Sequence, residues 1–204
     1  MIKLTMPISD EDIRSLKTGD TVLLNGVMLT GRDAVHKWMI DNFIDQKVTP
    51  SEADQDVYNA IKPLLDGGVI YHCGPVVAGL DTGDYKFVAA GPTTSIREEP
   101  YQGKVMEHFN AKGVIGKGGM GPKTLAACGE VPCVYFHAIG GAATLIAQSV
   151  KKVLDVHKME FGGPEAIWVL EVEDVPVVVT MDSHGNSIHD AIEEKSKAVF
   201  EKLV

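Results

Sequence analysis

The chain of 204 residues carries 19 Lys and Arg against 28 Asp and Glu, a formal net charge of −9, which argues against nucleic acid or an anionic membrane as the main partner. A hydrophobic share of 45% with 23% charged residues is that of a globular protein with room for a proper core. No run approaches the roughly 18 apolar residues of a membrane span. The N-terminus, MIKLTMPISDEDI, has no apolar stretch followed by a cleavage site, and three cysteines do not make a disulfide framework. The cytoplasm is the expected home.

In chain order, residues 2–6 (IKLTM) read as a short strand and PISDEDIRSL as a single capped turn. TGDTVLLNGVMLTG reads as two strands joined at Asn25-Gly26, a tight-hairpin signal. From Arg32 to Asp45 the apolar residues Ala34, Val35, Trp38, Met39, Phe43 and Ile44 recur at helical spacing. A second helix follows Pro50 over residues 49–65, then GVIYHCG (68–74) and YKFVAAG (85–91) as strands. Tyr101–Asn110 reads as helix and Lys112–Ile115 as a strand leading into GKGGMGPKT, from which a helix runs through Ala127. VPCVYFHAIG is a buried strand, and Ala142–Val153 a helix apolar on nearly every side. AIWVLEVEDVPVVVTMD reads as a strand pair, and the terminal helix carries Ile192, Val199 and Leu203 on one face. Strands and helices alternate without a linker or a repeat, which predicts one α/β domain over residues 1–204.

Four loops carry chemistry-bearing residues. In TGRDAVH a helix begins at the glycine, and its free N–H groups together with Arg32 would make an anion site. Asp33 would cap that helix and His36 lies a turn further on; the plainer reading has Arg32 solvated and His36 on a helix face. In GPTTSIR, after a strand, Thr93, Thr94 and Ser95 offer hydroxyls and Arg97 a fork suited to a carboxylate. The plainer reading is a turn with Arg97 paired to Glu98 or Glu99. Gly116-Lys117-Gly118-Gly119 is not a phosphate loop, since the first required glycine falls on Ala111 and Gly118 stands where Ser or Thr must follow the lysine. It leaves a lysine whose flanking backbone can approach a ligand closely, or simply a flexible turn. Asp182-Ser183-His184-Gly185-Asn186-Ser187-Ile188-His189 reads as a turn supporting the last helix. Two arginines, a lysine and hydroxyls suit a ligand with two carboxylates.

Together TGRDAVH, AAGPTTSIR, GVIGKGGM, FHAIGGAATLIA and DSHGNSIH resemble the β subunit of the two-subunit class I fumarase and tartrate dehydratase family, over about residues 3–190. The resemblance implies a single swivelling β/β/α domain that closes over a larger α subunit, in an α2β2 assembly. That α subunit would carry a [4Fe–4S] cluster, with no metal on this chain. The implied reaction is reversible hydration of fumarate to malate, or the matching dehydration of tartrate. By resemblance Arg32 and Arg97 hold substrate carboxylates, with Gly91 and Thr94 in the substrate site; Lys117 stabilises charge and Thr93 takes part in proton transfer, while Asp33 and His36 support. The pattern often has methionine after the arginine, where Glu98 stands here, so Glu98 and Glu99 would weaken or steer the field of Arg97.

Two rival readings remain. Cys73, Cys128 and Cys133 are enough for a cluster on this chain, although Cys133 lies in an apolar strand where free cysteine behaves as a small hydrophobe. The chain could also be a non-enzymatic dicarboxylate-binding or regulatory subunit.

Overall fold

The computed structural model describes residues 1–203. In chain order the elements are β1 (Ile2–Thr5), α1 (Asp10–Ser15), β2 (Thr21–Thr30), α2 (Asp33–Met39, continued by a π turn over Ile40–Ile44), α3 (Glu52–Leu65), β3 (Val69–Tyr71), β4 (Val76–Ala78), β5 (Lys86–Ala89), α4 (Gln102–Phe109), β6 (Gly113–Gly116), α5 (Pro122–Glu130), β7 (Val134–His137), α6 (Ala143–Ala147), β8 (Val150–His157), β9 (Ile167–Met181) and α7 (Ile188–Phe200). The mixed α/β class expected from the alternation is the one observed.

β2, β3, β6 and β7 run parallel in that order. The long β9 then pairs antiparallel with both β7 and β2, so five strands close into a ring. β1 lies beside the first half of β2, and β8 beside the first half of β9. Strand residues alternate between two apolar environments, as a period of two requires when both faces are covered. Val69, Tyr71, Ile115, Val134, Phe136, Trp168 and Leu170 fill the main cluster. Their neighbours Ile70, Ile167 and Val169 face a second cluster with Val35, Trp38, Val105 and Phe109 of α2 and α4. Val114 and Tyr135 face a third with Cys128 and Cys133. The β4–β5 hairpin is fastened by Tyr85 and Phe87, whose rings meet Trp168 edge-on with centroids 5.1 and 5.7 Å away.

Three expectations need correction. The expected Asn25-Gly26 hairpin is instead a bulge inside a continuous β2, and the expected strand pair is the single strand β9. These two breaks face each other: the register jumps from Leu24↔Val175 to Gly26↔Val172. Gly26 takes φ +99° with the Met6 carbonyl oxygen 3.0 Å from where a Cβ would sit, and Asp174 takes φ +53° while donating its N–H to Asn25 Oδ1 at 2.9 Å. Turn-forming residues mark a paired bulge because β1 and β9 supply ladder partners on either side. The third correction is the expected helix 142–153, which stops at Ala147 and becomes β8. β7 covers only the end of β9, so Ile167–Val172 requires another partner, and Val150, Val153 and Val156 pack that strand on the main cluster. No helix among the described residues is long and apolar enough to cross a membrane.

Candidate functional site

Because β2, β3, β6 and β7 are parallel, their C-terminal ends share one edge of the ring, where α/β proteins place ligands. The segments leaving that edge are Gly31-Arg32-Asp33, His72-Cys73-Gly74, Lys117-Gly118-Gly119 and Ala138-Ile139-Gly140. GPTTSIR crosses between two of them. The Thr93 N–H donates to the His72 carbonyl (2.7 Å), the Lys117 N–H to the Thr93 carbonyl (3.1 Å), and the Ser95 N–H to the Lys117 carbonyl (3.1 Å). Thr93 is half-buried and Thr94 exposed.

Arg97 Nη2 lies 2.9 Å from Asp33 Oδ2, which joins the two arginine-bearing loops. Asp33 is therefore an ion-pair partner and the first residue of α2, not the cap expected of it: Arg32 stands at the cap position, and its side chain makes no capping hydrogen bond. Burial pushes the Asp33 carboxyl up, but contact with the Glu98 carboxyl and the charges of Arg97 and Arg32 outweigh that and hold it below the usual carboxylate range. Arg32 Nε lies 3.2 Å from Glu165 Oε1, and Nη1 donates to the Pro164 carbonyl at 3.5 Å. Glu165 also accepts from the Ala34 N–H (3.2 Å), tying the first turn of α2 to the segment before β9. A Cβ on Gly74 would lie 2.2 Å from Arg32 Nη1, so the guanidinium lies across bare backbone. Lys117 forms no ion pair among the described residues; its stem passes Gly140, whose Cβ would lie 3.7 Å from Cδ. A Cβ on Gly91 would meet that of Ala143 at 3.1 Å, so close packing on α6 accounts for the glycine there.

His36 is fully buried, not on an exposed helix face. Its Nδ1–H donates to the Arg32 carbonyl (2.9 Å), and the Gln102 side-chain amide bridges its Nε2 (2.8 Å) to His72 Nε2 (2.9 Å). His72 Nδ1 reaches Ser95 Oγ at 2.8 Å, which also accepts from the Tyr135 hydroxyl at 2.9 Å. Burial lowers the pKa of both imidazoles, keeping them neutral. This dry chain of polar side chains connects the Arg32 loop to the GPTTS loop, so each holds the other in place. Gly116 makes room for it, since a Cβ would fall 1.7 Å from Ser95 Oγ.

The neighbouring acids part company. Glu99 turns away from Arg97: its Oε2 accepts from the Gly121 N–H (2.8 Å) and the Thr124 hydroxyl (2.6 Å), and its Oε1 from the Lys123 N–H (2.8 Å). It caps α5 and does not weaken the arginine. Glu98 has no exposed surface, and neither of its carboxyl oxygens meets a donor. Burial first, then contact with Asp33, push its pKa up to about 8.

The Asp182 turn is structural, as the sequence suggests: that carboxylate accepts from the Thr18, His184 and Asn186 N–H groups, each at 3.0 Å. His189 hydrogen-bonds Thr180 Oγ1 at 2.9 Å, and its ring packs where a Gly119 Cβ would be. The cysteines do not form one set: Cys73 lies in the main cluster, Cys128 and Cys133 in the third. Burial pushes the Cys73 thiol up to about 12, and the described residues hold no group of three His, Cys, Asp or Glu side chains placed to share a metal ion.

Of the expected residues, Arg32, Asp33, Thr93, Thr94, Arg97 and Lys117 come together at one edge, with His36 buried beneath. Gly74, Glu165, His72, Gln102 and Tyr135 escape sequence reading. Only the glycine after HC hints at close approach; the rest act through contacts between distant segments.

The chain is 50% identical over 203 residues to a protein of Geobacillus stearothermophilus named as a class I fumarate hydratase, covering all of this chain and 36% of that one. It is 37% identical over 198 residues to a protein of Methanocaldococcus jannaschii named as an L(+)-tartrate dehydratase β subunit, covering 96% of this chain and 93% of that one. It is 34% identical over 201 residues to the L(+)-tartrate dehydratase β subunit of Escherichia coli K12, covering 98% and 90%. The chain thus spans about a third of the first relative and nearly all of the other two. The family model described as Fumarase C-terminus matches residues 1–192, and the chain belongs to that family.

Proposed function

We propose that this chain is the β subunit of a hydro-lyase that interconverts fumarate and malate by reversible hydration. The observations that support it are the 2.9 Å contact of Arg97 with Asp33, which joins the Arg32 and Arg97 loops, and the Thr93–Lys117 backbone bond, which joins the Lys117 loop to GPTT. Arg32 and Arg97 each engage one carboxylate of the diacid. Removing a proton beside a carboxylate creates extra negative charge, and Lys117 stabilises that charge more than it stabilises bound substrate. Thr93 lies beside Lys117 and takes part in the proton transfer, with the ammonium lowering the cost of its ionisation. Gly91 and Thr94 shape the substrate site, and Asp33 and His36 support the arginines.

The single domain of residues 1–204 swivels over an α subunit in an α2β2 assembly in the cytoplasm. The cysteines here do not fit a [4Fe–4S] cluster, so that group belongs on the α subunit. A tartrate dehydratase is the second reading, favoured by the near full-length match to two β subunits that carry this name. Co-purification with the native partner, followed by anaerobic assay of malate, fumarate and tartrate, tests the proposal. Turnover of fumarate and malate is expected. Preference for tartrate selects the second reading, and tight dicarboxylate binding by the chain alone without turnover in the complex returns it to a binding subunit.

A further inference from the structure

The face of Arg97 turned towards Asp33 holds a second carboxyl group that neither the ion pair nor the proposed chemistry uses. Glu98 is fully buried on the turn between GPTT and α4, and both its oxygens lack a donor. The Asp33 side chain is in contact with it, and Asp33 Oδ1 is also buried without a donor, while Oδ2 faces Arg97. An ionised Glu98 would put a desolvated charge beside the half-exposed Asp33, whereas one shared proton satisfies both, turning a repelling pair into a donor and an acceptor. Asp33 already has a cation and Glu98 has none among the described residues, so the proton belongs to Glu98.

We propose that Glu98 is a positioning residue for Arg97: its neutral carboxyl donates to Asp33 and limits how strongly Asp33 competes with the substrate carboxylate for the guanidinium. The inference rests on the substrate-binding reading of Arg97. While Glu98 keeps its proton, the Asp33 charge is divided between Arg97 and that hydrogen bond. When Glu98 loses it, a second and buried negative charge stands beside Asp33, and the half-exposed Arg97 is held by two anions against an incoming third. The other groups around the pair are Arg32 and the buried His36 on α2, His72 after β3 and Tyr135 on β7. Burial keeps both imidazoles neutral and lowers their pKa values, and pushes the Tyr135 phenol above its usual range. None of the three gains or loses a proton between neutrality and mild alkali. Glu98, pushed up to about 8, does so there.

Glu98→Gln keeps a donor but cannot ionise, and Glu98→Leu removes the donor. In the assembled enzyme, wild-type KM for the dicarboxylate should rise about tenfold from about pH 7 to about pH 9 with little change in kcat. Glu98→Gln should abolish that rise, while Glu98→Leu raises KM at neutral pH and Glu98→Gln recovers most of the loss. A wild-type KM that stays flat, or a rise that survives in Glu98→Gln, overturns the proposal. NMR of the full chain gives a second readout that needs neither activity nor the variants. The Arg97 Nε–H resonance should shift with a midpoint near pH 8, and a resonance that does not titrate there overturns the proposal. If the complex turns over none of the three substrates, the hydro-lyase reading fails by itself, and the Arg97 titration still decides whether the pair acts on the guanidinium.

Discussion

Arg32 owes its position to a residue with no side chain. Its Nη1 occupies the space of a Gly74 Cβ, 2.2 Å away, with Glu165 and the Pro164 carbonyl fixing the other side. Gly74→Ala should push the guanidinium aside, because the far end of a flexible side chain moves more cheaply than backbone. The expected result in the assembled enzyme is a KM for dicarboxylate raised by roughly tenfold, about 1.4 kcal/mol, with Tm almost unchanged. An unchanged KM would mean that Arg32 does not hold substrate from this position. TGRDAVH marks Arg32 as a candidate through its helix start, but the sequence around Gly74 gives no sign of which side chain crosses it. The different fates of Glu98 and Glu99 are equally invisible in the string REE, since they depend on which neighbouring segment each side chain meets.

At the scale of elements, α5 shows how a helix can be started from outside itself. Gly121 precedes it without a capping side chain, and Pro122 opens its first turn. Glu99, from the turn after Arg97, meets the free N–H groups of Gly121 and Lys123 and the Thr124 hydroxyl. Glu99→Ala should therefore cost about 1–2 kcal/mol, lowering Tm by about 2–8 °C in a domain of this size. The Lys117 loop, which leads directly into α5, should become looser as well. A Tm within a degree of wild type would show that water replaces Glu99 without loss. The helix α2 is legible from the spacing of its apolar residues, and α3 and α4 lie within the segments 49–65 and 101–110 that read as helix. The failures are physical in kind: Asn25-Gly26 and Glu173-Asp174 carry turn chemistry that serves a bulge, and the apolar stretch after Ala147 fits helix or strand until the open edge of β9 decides.

Over the whole molecule, ring closure makes the site. Four parallel strands deliver their ends to one edge, and β9 locks the first to the last. The buried path from the Arg32 carbonyl through His36, Gln102, His72 and Ser95 to Tyr135 then fixes the loops on that edge relative to one another. The charged residues of the candidate site are legible as a set because arginine, lysine and hydroxyls recur beside glycine in separate loops. The supporting path is not, because each of its members looks like an ordinary core or turn residue until the loops meet. The account depends on Arg97 exchanging Asp33 for a substrate carboxylate. Its most direct test is kcat/KM of Arg97→Ala in the complex with the native partner, on fumarate, malate and tartrate. A loss of about 3 kcal/mol, more than roughly a hundredfold, is predicted for the working substrate; activity within about tenfold of wild type on all three would contradict it.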